Sequence, residues 1–205
     1  GDPEVSEAID FARYYGACIE GIVDGERRGL DFEPFGVVVV ASPWNFPYAI
    51  PAGGVLAALA AGNSVVLKPA PEVRATARLL AEQMWRAGVP TDALQYVACP
   101  DDEVGRRLVT HPSVGAVVLT GAYETAMRFL EWRPSMRLVA ETSGKNAMVI
   151  TAAADEDAAI KDLVRSAFGH AGQKCSAASL AIVEAPLYDD ARFLQRLADA
   201  AARPG

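Results

Sequence analysis

Histidine and cysteine are scarce in this chain of 205 residues, with two of the first and three of the second. That supply is too small for a multi-ligand zinc or iron–sulfur centre, and no Cys-x-x-Cys pair occurs. Cys18, Cys99 and Cys175 leave one thiol over under any disulfide scheme, which fits a reducing cytoplasm better than a disulfide framework. Positive charge is in deficit: 19 Lys plus Arg face 26 Asp plus Glu, a formal net charge of -7. Nucleic acid and anionic membranes both require a basic face, so neither is expected as a partner. Long apolar runs are missing too. The richest, Val55 to Ala61, is bounded by Gly53-Gly54 and Gly62-Asn63 and is far too short to cross a bilayer. The first residues, Gly1-Asp2-Pro3-Glu4, lack the basic start and apolar run of a signal peptide, so the expected location is cytoplasmic. Neither the Gly-x-Gly-x-x-Gly fingerprint nor a phosphate-binding Gly-Lys-Ser/Thr loop is present, so a dinucleotide site would not be of the usual type.

What is present is the composition of a globular chain, 51% hydrophobic and 22% charged, which excludes disorder. The length allows one domain, or one domain and part of another. Val5, Ala8, Ile9, Ala12, Tyr15, Ile19 and Ile22 recur at helical spacing and predict an amphipathic helix over Glu4 to Asp24. Gly36 to Ala41 is a valine run without polar alternation, the pattern of a strand buried on both faces. Downstream, strands are expected at Ser64–Leu67, Leu94–Ala98, Gly115–Leu119, Met136–Ala140, Ala147–Thr151 and Leu180–Glu184. Helices are expected at Pro51–Ala61, Glu72–Ala87, Asp101–Thr110, Thr125–Trp132, Asp155–Phe168 and Tyr188–Ala202. Such alternation implies βαβ crossovers, hence an α/β fold with a doubly wound, mostly parallel five-stranded sheet. After Glu141 only two further strands and two helices follow, too few for a stable parallel layer. The expected organisation is therefore an N-terminal helix and doubly wound domain over 1–140 and the opening of a second α/β domain over 141–205.

Five segments carry candidate chemistry. Ser42-Pro43-Trp44-Asn45-Phe46-Pro47 follows the first buried strand, and open α/β sheets bind ligands at the carboxyl ends of strands. The Asn45 amide could donate to a developing oxyanion; equally, the segment could be a rigid turn with Trp44 and Phe46 filling the core. Lys68 ends the second strand, either reaching a ribose or phosphate or serving as a surface lysine. Gly121 opens a helix where a phosphate could approach backbone N–H groups. Glu141 leaves a buried strand, where desolvation would raise its pKa and suit it as a general base. Cys175 lies in Gly169-His170-Ala171-Gly172-Gln173-Lys174-Cys175-Ser176, a polar glycine-flanked loop with an adjacent lysine that favours a nucleophilic thiolate. Cys18 and Cys99 read as packing residues. Asp101-Asp102-Glu103 and Asp155-Glu156-Asp157 read as helix starts complementing the dipole, and His111 as a helix end. His170 fits either a helix end or a base for Cys175.

Taken in order, Pro43-Trp44-Asn45-Phe46-Pro47, Lys68-Pro69-Ala70, Glu141-Thr142-Ser143-Gly144-Lys145-Asn146 and Gly172-Gln173-Lys174-Cys175 resemble the aldehyde dehydrogenase superfamily over essentially the whole chain. The finer wording is most similar to L-glutamate γ-semialdehyde (pyrroline-5-carboxylate) dehydrogenases, in particular the dehydrogenase half of bifunctional proline-utilisation enzymes. The resemblance implies NAD as cofactor and a small aldehyde as substrate. It implies Cys175 as nucleophile, Asn45 with the Cys175 N–H as oxyanion donors, and Glu141 as the base for thioester hydrolysis. Ser42, Pro43, Trp44, Lys68, Gly121, Ala122 and Thr142 would meet the cofactor; Phe46, Lys174 and Ser176 would meet the substrate. No resident metal is implied, and the parent protein is expected to be a homo-oligomer. Some positions depart from the family's pattern. Pro71 stands where a Glu is usual, with Glu72 one further on, and Ala122 replaces a serine. The family's later nicotinamide-ribose segment does not occur, so the 205 residues alone are expected to lack turnover. Two other classes stay open: a thiol hydrolase or acyltransferase using Cys175 and His170, and a non-catalytic NAD-binding module.

Overall fold

A computed structural model describes residues 2–203. It contains two compact units, one ending at Thr142 and one beginning at Ser143. The first unit opens with α1 (Asp2–Arg27) and alternates β1 (Val37–Ser42), α2 (Ala49–Ala60), β2 (Ser64–Pro69), α3 (Arg74–Arg86), β3 (Leu94–Tyr96), α4 (Glu103–Thr110), β4 (Val114–Gly121), α5 (Tyr123–Trp132) and β5 (Leu138–Thr142). All five strands run parallel in the order β3-β2-β1-β4-β5.

The valine run explains the double winding. Successive strand residues point to opposite faces. Val38 and Val40 enter a core with Ala52, Val55, Leu67 and Leu80 from α2, β2 and α3. Val39 and Ala41 enter a second core with Val109, Val117, Leu119 and Phe129 from α4, β4 and α5. Each fully buried Val or Leu contributes roughly 1.5–3 kcal/mol over an exposed one, so a central strand apolar from Val37 to Ala41 is stabilised from both sides. The small-residue character of α2 serves close packing: a Cβ on Gly54 would lie 2.9 Å from a Val40 methyl.

The second unit pairs β6 (Ala147–Ile150) with β7 (Leu180–Val183) in parallel and packs α6 (Glu156–Phe168) and α8 (Ala191–Ala201) into a core of Ile150, Ile160, Leu163, Val164, Leu187 and Phe193.

Several boundaries differ from expectation for identifiable reasons. The last helix, α8 (Ala191–Ala201), starts three residues later than expected, because Asp190 accepts from Arg192 N at 2.8 Å and caps it there, and a separate short helix, α7 (Ala185–Tyr188), precedes it. β5 lies two residues later than Met136–Ala140, since Glu141 and Thr142 continue the ladder opposite Thr120 and Gly121. Those two residues therefore belong to the first sheet, and the units part between Thr142 and Ser143 rather than after Ala140. The 26 residues of α1 bury only Ala8 and Gly25, leaving Val5, Ile9 and Ile19 exposed. Among the described residues no helix is long and apolar enough to cross a membrane, and no group of three or more His, Cys, Asp or Glu could hold a metal ion.

Candidate active site

Parallel strands put all their carboxyl ends on one edge, and that edge gathers most of the residues singled out in the first unit. Ser42 closes β1 beside Pro69, Lys68 stands in register with Ala41, and Thr120 and Gly121 face Glu141 and Thr142. Ser42 is 6% exposed, and its Oγ is buried without a hydrogen-bond partner. A buried orphan hydroxyl at a strand end invites a ligand or water, because leaving it unpaired costs about 1–3 kcal/mol.

From Ser42 the chain turns through Pro43 to Pro47 into α2. Asn45 and Phe46 are half-buried, whereas Trp44 is 46% exposed and does not fill the core. The start of α2 is already engaged by a carboxylate: Tyr48 N and Ala49 N donate to Glu4 Oε2 at 2.9 and 3.2 Å. Negative charge there complements the helix dipole and ties α1 to the turn that carries Asn45.

Lys68 is buried at the end of β2, not a surface lysine, and its Nζ pairs with Asp101. The two line a cleft with Gly105 of α4 and Thr125, Arg128 and Trp132 of α5. Ala122 caps α5 without a side-chain bond, leaving the Gly121 turn to the backbone alone. Burial pushes the nearby Cys99 thiol up from its ordinary value; the Lys68 charge opposes this, and Asp101 and Asp102 reinforce it. A larger depression of about 600 Å³ runs along α4 past Val66, Val97 and Leu108 to Val37 and Val114. It is apolar and holds none of the expected site residues.

Glu141 is exposed on β5, an edge strand, so the expected desolvation of its carboxylate does not occur. Asp102 and Asp155 do cap α4 and α6, accepting from Val104 N at 2.8 Å and Ala158 N at 2.9 Å. His111 is the C-cap of α4. Glu156 and Asp157 also pair with Arg196.

In the second unit, α6 runs into a tight 3₁₀ turn over Gly169–Gly172, where His170 and Ala171 have φ of 56° and 55° and Gly172 has 72°. Three successive left-handed residues reverse the chain sharply and deliver Lys174, Cys175 and Ser176 to an exposed loop. Cys175 is a free, exposed thiol; Cys18 is exposed as well, not packed, while Cys99 is half-buried. The loop is fixed from below by Asn146. Its Nδ2 donates to the Cys175 and Ala177 carbonyls at 2.5 and 3.0 Å, and its own carbonyl accepts from Ser179 N at 2.9 Å.

Residues 1–204 fit the aldehyde dehydrogenase family. The chain belongs to that family. A 1-pyrroline-5-carboxylate dehydrogenase of Geobacillus thermodenitrificans is 40% identical over 204 residues, covering 92% of this chain and 40% of that protein. The Bacillus cereus counterpart is 39% identical over the same shares. Among solved structures, proline utilization A from Corynebacterium freiburgense superimposes with a TM-score of 0.88 at 52% identity, covering 99% of this chain and 20% of that one. Betaine aldehyde dehydrogenase from Staphylococcus aureus, solved in complex with NAD+, gives 0.79 at 31% identity over 83% of this chain and 34% of its own. The chain thus spans about 40% of the length of the curated relatives it matches.

Three residues of this aldehyde dehydrogenase chain were missed by sequence reasoning. In the sequence Asp101 reads as part of a helix-start pattern, Asn146 carries no signal of its role within its motif, and Glu4 gives none beyond its place in a first helical turn. Only Asp101 had a readable clue: two adjacent acids precede α4, and one suffices to cap it.

Proposed function

We propose that this chain supplies the cofactor edge and the nucleophile of an enzyme oxidising L-glutamate γ-semialdehyde to L-glutamate with NAD. The observation that carries the reading is the 52% identity to proline utilization A across 99% of the chain, together with relatives named 1-pyrroline-5-carboxylate dehydrogenase. The thiolate of Cys175 adds to the aldehyde carbon, forming a C–S bond and moving the carbonyl electron pair to oxygen. The Asn45 amide and the Cys175 N–H donate to that oxygen. NAD, when bound, supplies the hydride acceptor. Glu141 then takes a proton from water, which adds to the Cys175 thioester and releases the acid and the thiolate. Phe46, Lys174 and Ser176 serve the substrate, the last two through charge and hydrogen bonding to its carboxylate.

The carboxyl edge suits the cofactor. The orphan Ser42 hydroxyl, the buried Lys68 ammonium and the uncapped turn at Gly121 and Ala122 supply donors of the kind a dinucleotide needs. Trp44, Pro43 and Thr142 complete that surface. In the parent protein, expected as a homo-oligomer, NADH formation should be fastest with glutamate semialdehyde among a panel including succinate semialdehyde and simple aldehydes. Cys175→Ala should abolish it while leaving NAD affinity within about threefold. A Cys175→Ala protein that keeps aldehyde-dependent NADH formation sinks the mechanism, and a preference for another aldehyde sinks the substrate.

A further inference from the structure

The acidic run at the start of α4 divides its labour. Asp102 caps the helix through its bond from Val104 N, so the helix start does not need Asp101. The Asp101 carboxylate instead meets Lys68 Nζ. The Lys68 side chain is only 8% exposed and that of Asp101 is 61% exposed, so the pair presents its carboxylate to solvent and its ammonium to the protein. Both line the cleft between α4 and α5, with Gly105, Thr125, Arg128 and Trp132. In doubly wound folds an acid near the second strand accepts from the adenosine ribose 2′-hydroxyl, and a nearby cation instead accommodates a 2′-phosphate. Here Glu72, the other acid close to the end of β2, is exposed on the 3₁₀ turn Pro71–Val73 and does not line the cleft.

We propose that Asp101 is the residue by which this chain selects NAD over NADP: its carboxylate, held by Lys68, accepts from the ribose 2′-hydroxyl and repels a 2′-phosphate. The inference rests on reading the carboxyl edge as the dinucleotide site. Lys68 is the cation nearest that position, and Asp101 neutralises it. Arg128, the cleft's other cation, is exposed on α5, so solvent and salt screen its charge as they screen the Asp101 carboxylate, but only Asp101 is held at the cleft by the buried Lys68. A carboxylate facing a dianionic phosphate over a few ångströms at a protein surface corresponds to about a tenfold or larger discrimination.

The test is calorimetric titration of the 205-residue chain with NAD and with NADP, which reads binding without turnover. The chain binds NAD at least tenfold more tightly than NADP. Asp101→Asn narrows that ratio about tenfold, mostly by tightening NADP, whereas Asp101→Glu retains most of it. Raising ionic strength shrinks the wild-type ratio and leaves the Asp101→Asn ratio nearly unchanged. Because Asp101 is exposed, circular dichroism of the variants should match that of the parent; if Asp101→Asn fails to fold, Asp101→Ser takes its place. Absence of NAD binding, or indifference of NAD affinity to Lys68→Met, overturns the site and this proposal with it. With NAD binding intact and Lys68-dependent, an unchanged ratio in Asp101→Asn overturns the proposal alone. So does a ratio relaxed by Glu72→Gln instead, or a wild-type preference for NADP that Arg128→Ala removes.

Discussion

Cys99 shows how one side chain can report on the cleft. Its thiol is half-buried and pushed up by that burial, with the Lys68 ammonium lowering it and Asp101 and Asp102 raising it. The thiolate is the species that alkylates. Iodoacetamide labelling of Cys99, followed by peptide mass spectrometry, should therefore rise with pH at higher values than for the same cysteine in urea. Asp101→Asn should move that rise down, since it removes a negative charge and leaves Lys68 unopposed. Superimposable folded and unfolded curves would refute this. The same shift has a sign for stability. The folded state favours the protonated thiol, so its contribution is fully present below the unfolded thiol pKa, about 8.5, and is lost as pH rises through the folded value. At this scale the sequence was legible where chemistry is local. Cys175 stands in a loop whose glycines and lysine announce exposure, and the loop is exposed. It was illegible where burial depends on neighbours: nothing in Ala140-Glu141-Thr142 says that β5 is an edge strand, and nothing around Cys18 says that its face of α1 is left open.

The turn between α6 and the Cys175 loop concentrates backbone strain in a few residues. His170 and Ala171 are in the left-handed region, where a side chain costs roughly 1–2 kcal/mol per residue. Gly172 continues it at φ 72°, and a Cβ there would lie 3.1 Å from the Ala167 carbonyl oxygen. Gly172→Ala should therefore destabilise the chain by about 1–2 kcal/mol in urea unfolding, against the few tenths common for surface changes. It should also accelerate Cys175 alkylation as the loop loosens, whereas Ser179→Ala, which removes only a 3.4 Å contact to the Asn146 carbonyl, should leave labelling unchanged. Equal labelling in Gly172→Ala and the parent would show that the turn does not hold the loop. Element by element, the valine strand β1 and the capped helices α4 and α6 were readable because their signals are local: two-faced hydrophobicity and an Asp before each helix. The left-handed turn was not, because neither His170 nor Ala171 is a residue whose presence predicts that conformation as glycine does. The start of α8 shows the converse: Asp190 is a local capping signal directly before Ala191, and the expected start at Tyr188 passes over it.

On the scale of the whole chain, the two units differ in how much core they own. The unit ending at Thr142 has five parallel strands, the central ones covered on both faces, with separate cores against α2–α3 and α4–α5. The unit from Ser143 has two strands and one core against α6 and α8. Val149 and Ile182, paired in register, are themselves 67% and 50% exposed. A two-stranded sheet is marginal in water unless a face is well covered, and a long exposed apolar strand pair promotes association. The residues lining the Lys68 cleft, and Ser42 and Gly121 beside it, all lie before Thr142. Segment 1–142 expressed alone should therefore fold as a domain in its own right. Its urea transition should be cooperative, with a stability of about 5–15 kcal/mol for a domain of this size. By calorimetry it should bind NAD within about threefold of the 205-residue chain. Segment 143–205 alone should instead bind a hydrophobic dye, lack a cooperative transition and associate at micromolar concentration. If 1–142 folds cooperatively yet binds NAD tenfold more weakly, residues after Thr142 contribute to cofactor affinity and the division of labour fails. If 143–205 unfolds cooperatively as a monomer, its single core is sufficient, and the open β6–β7 face does not limit it.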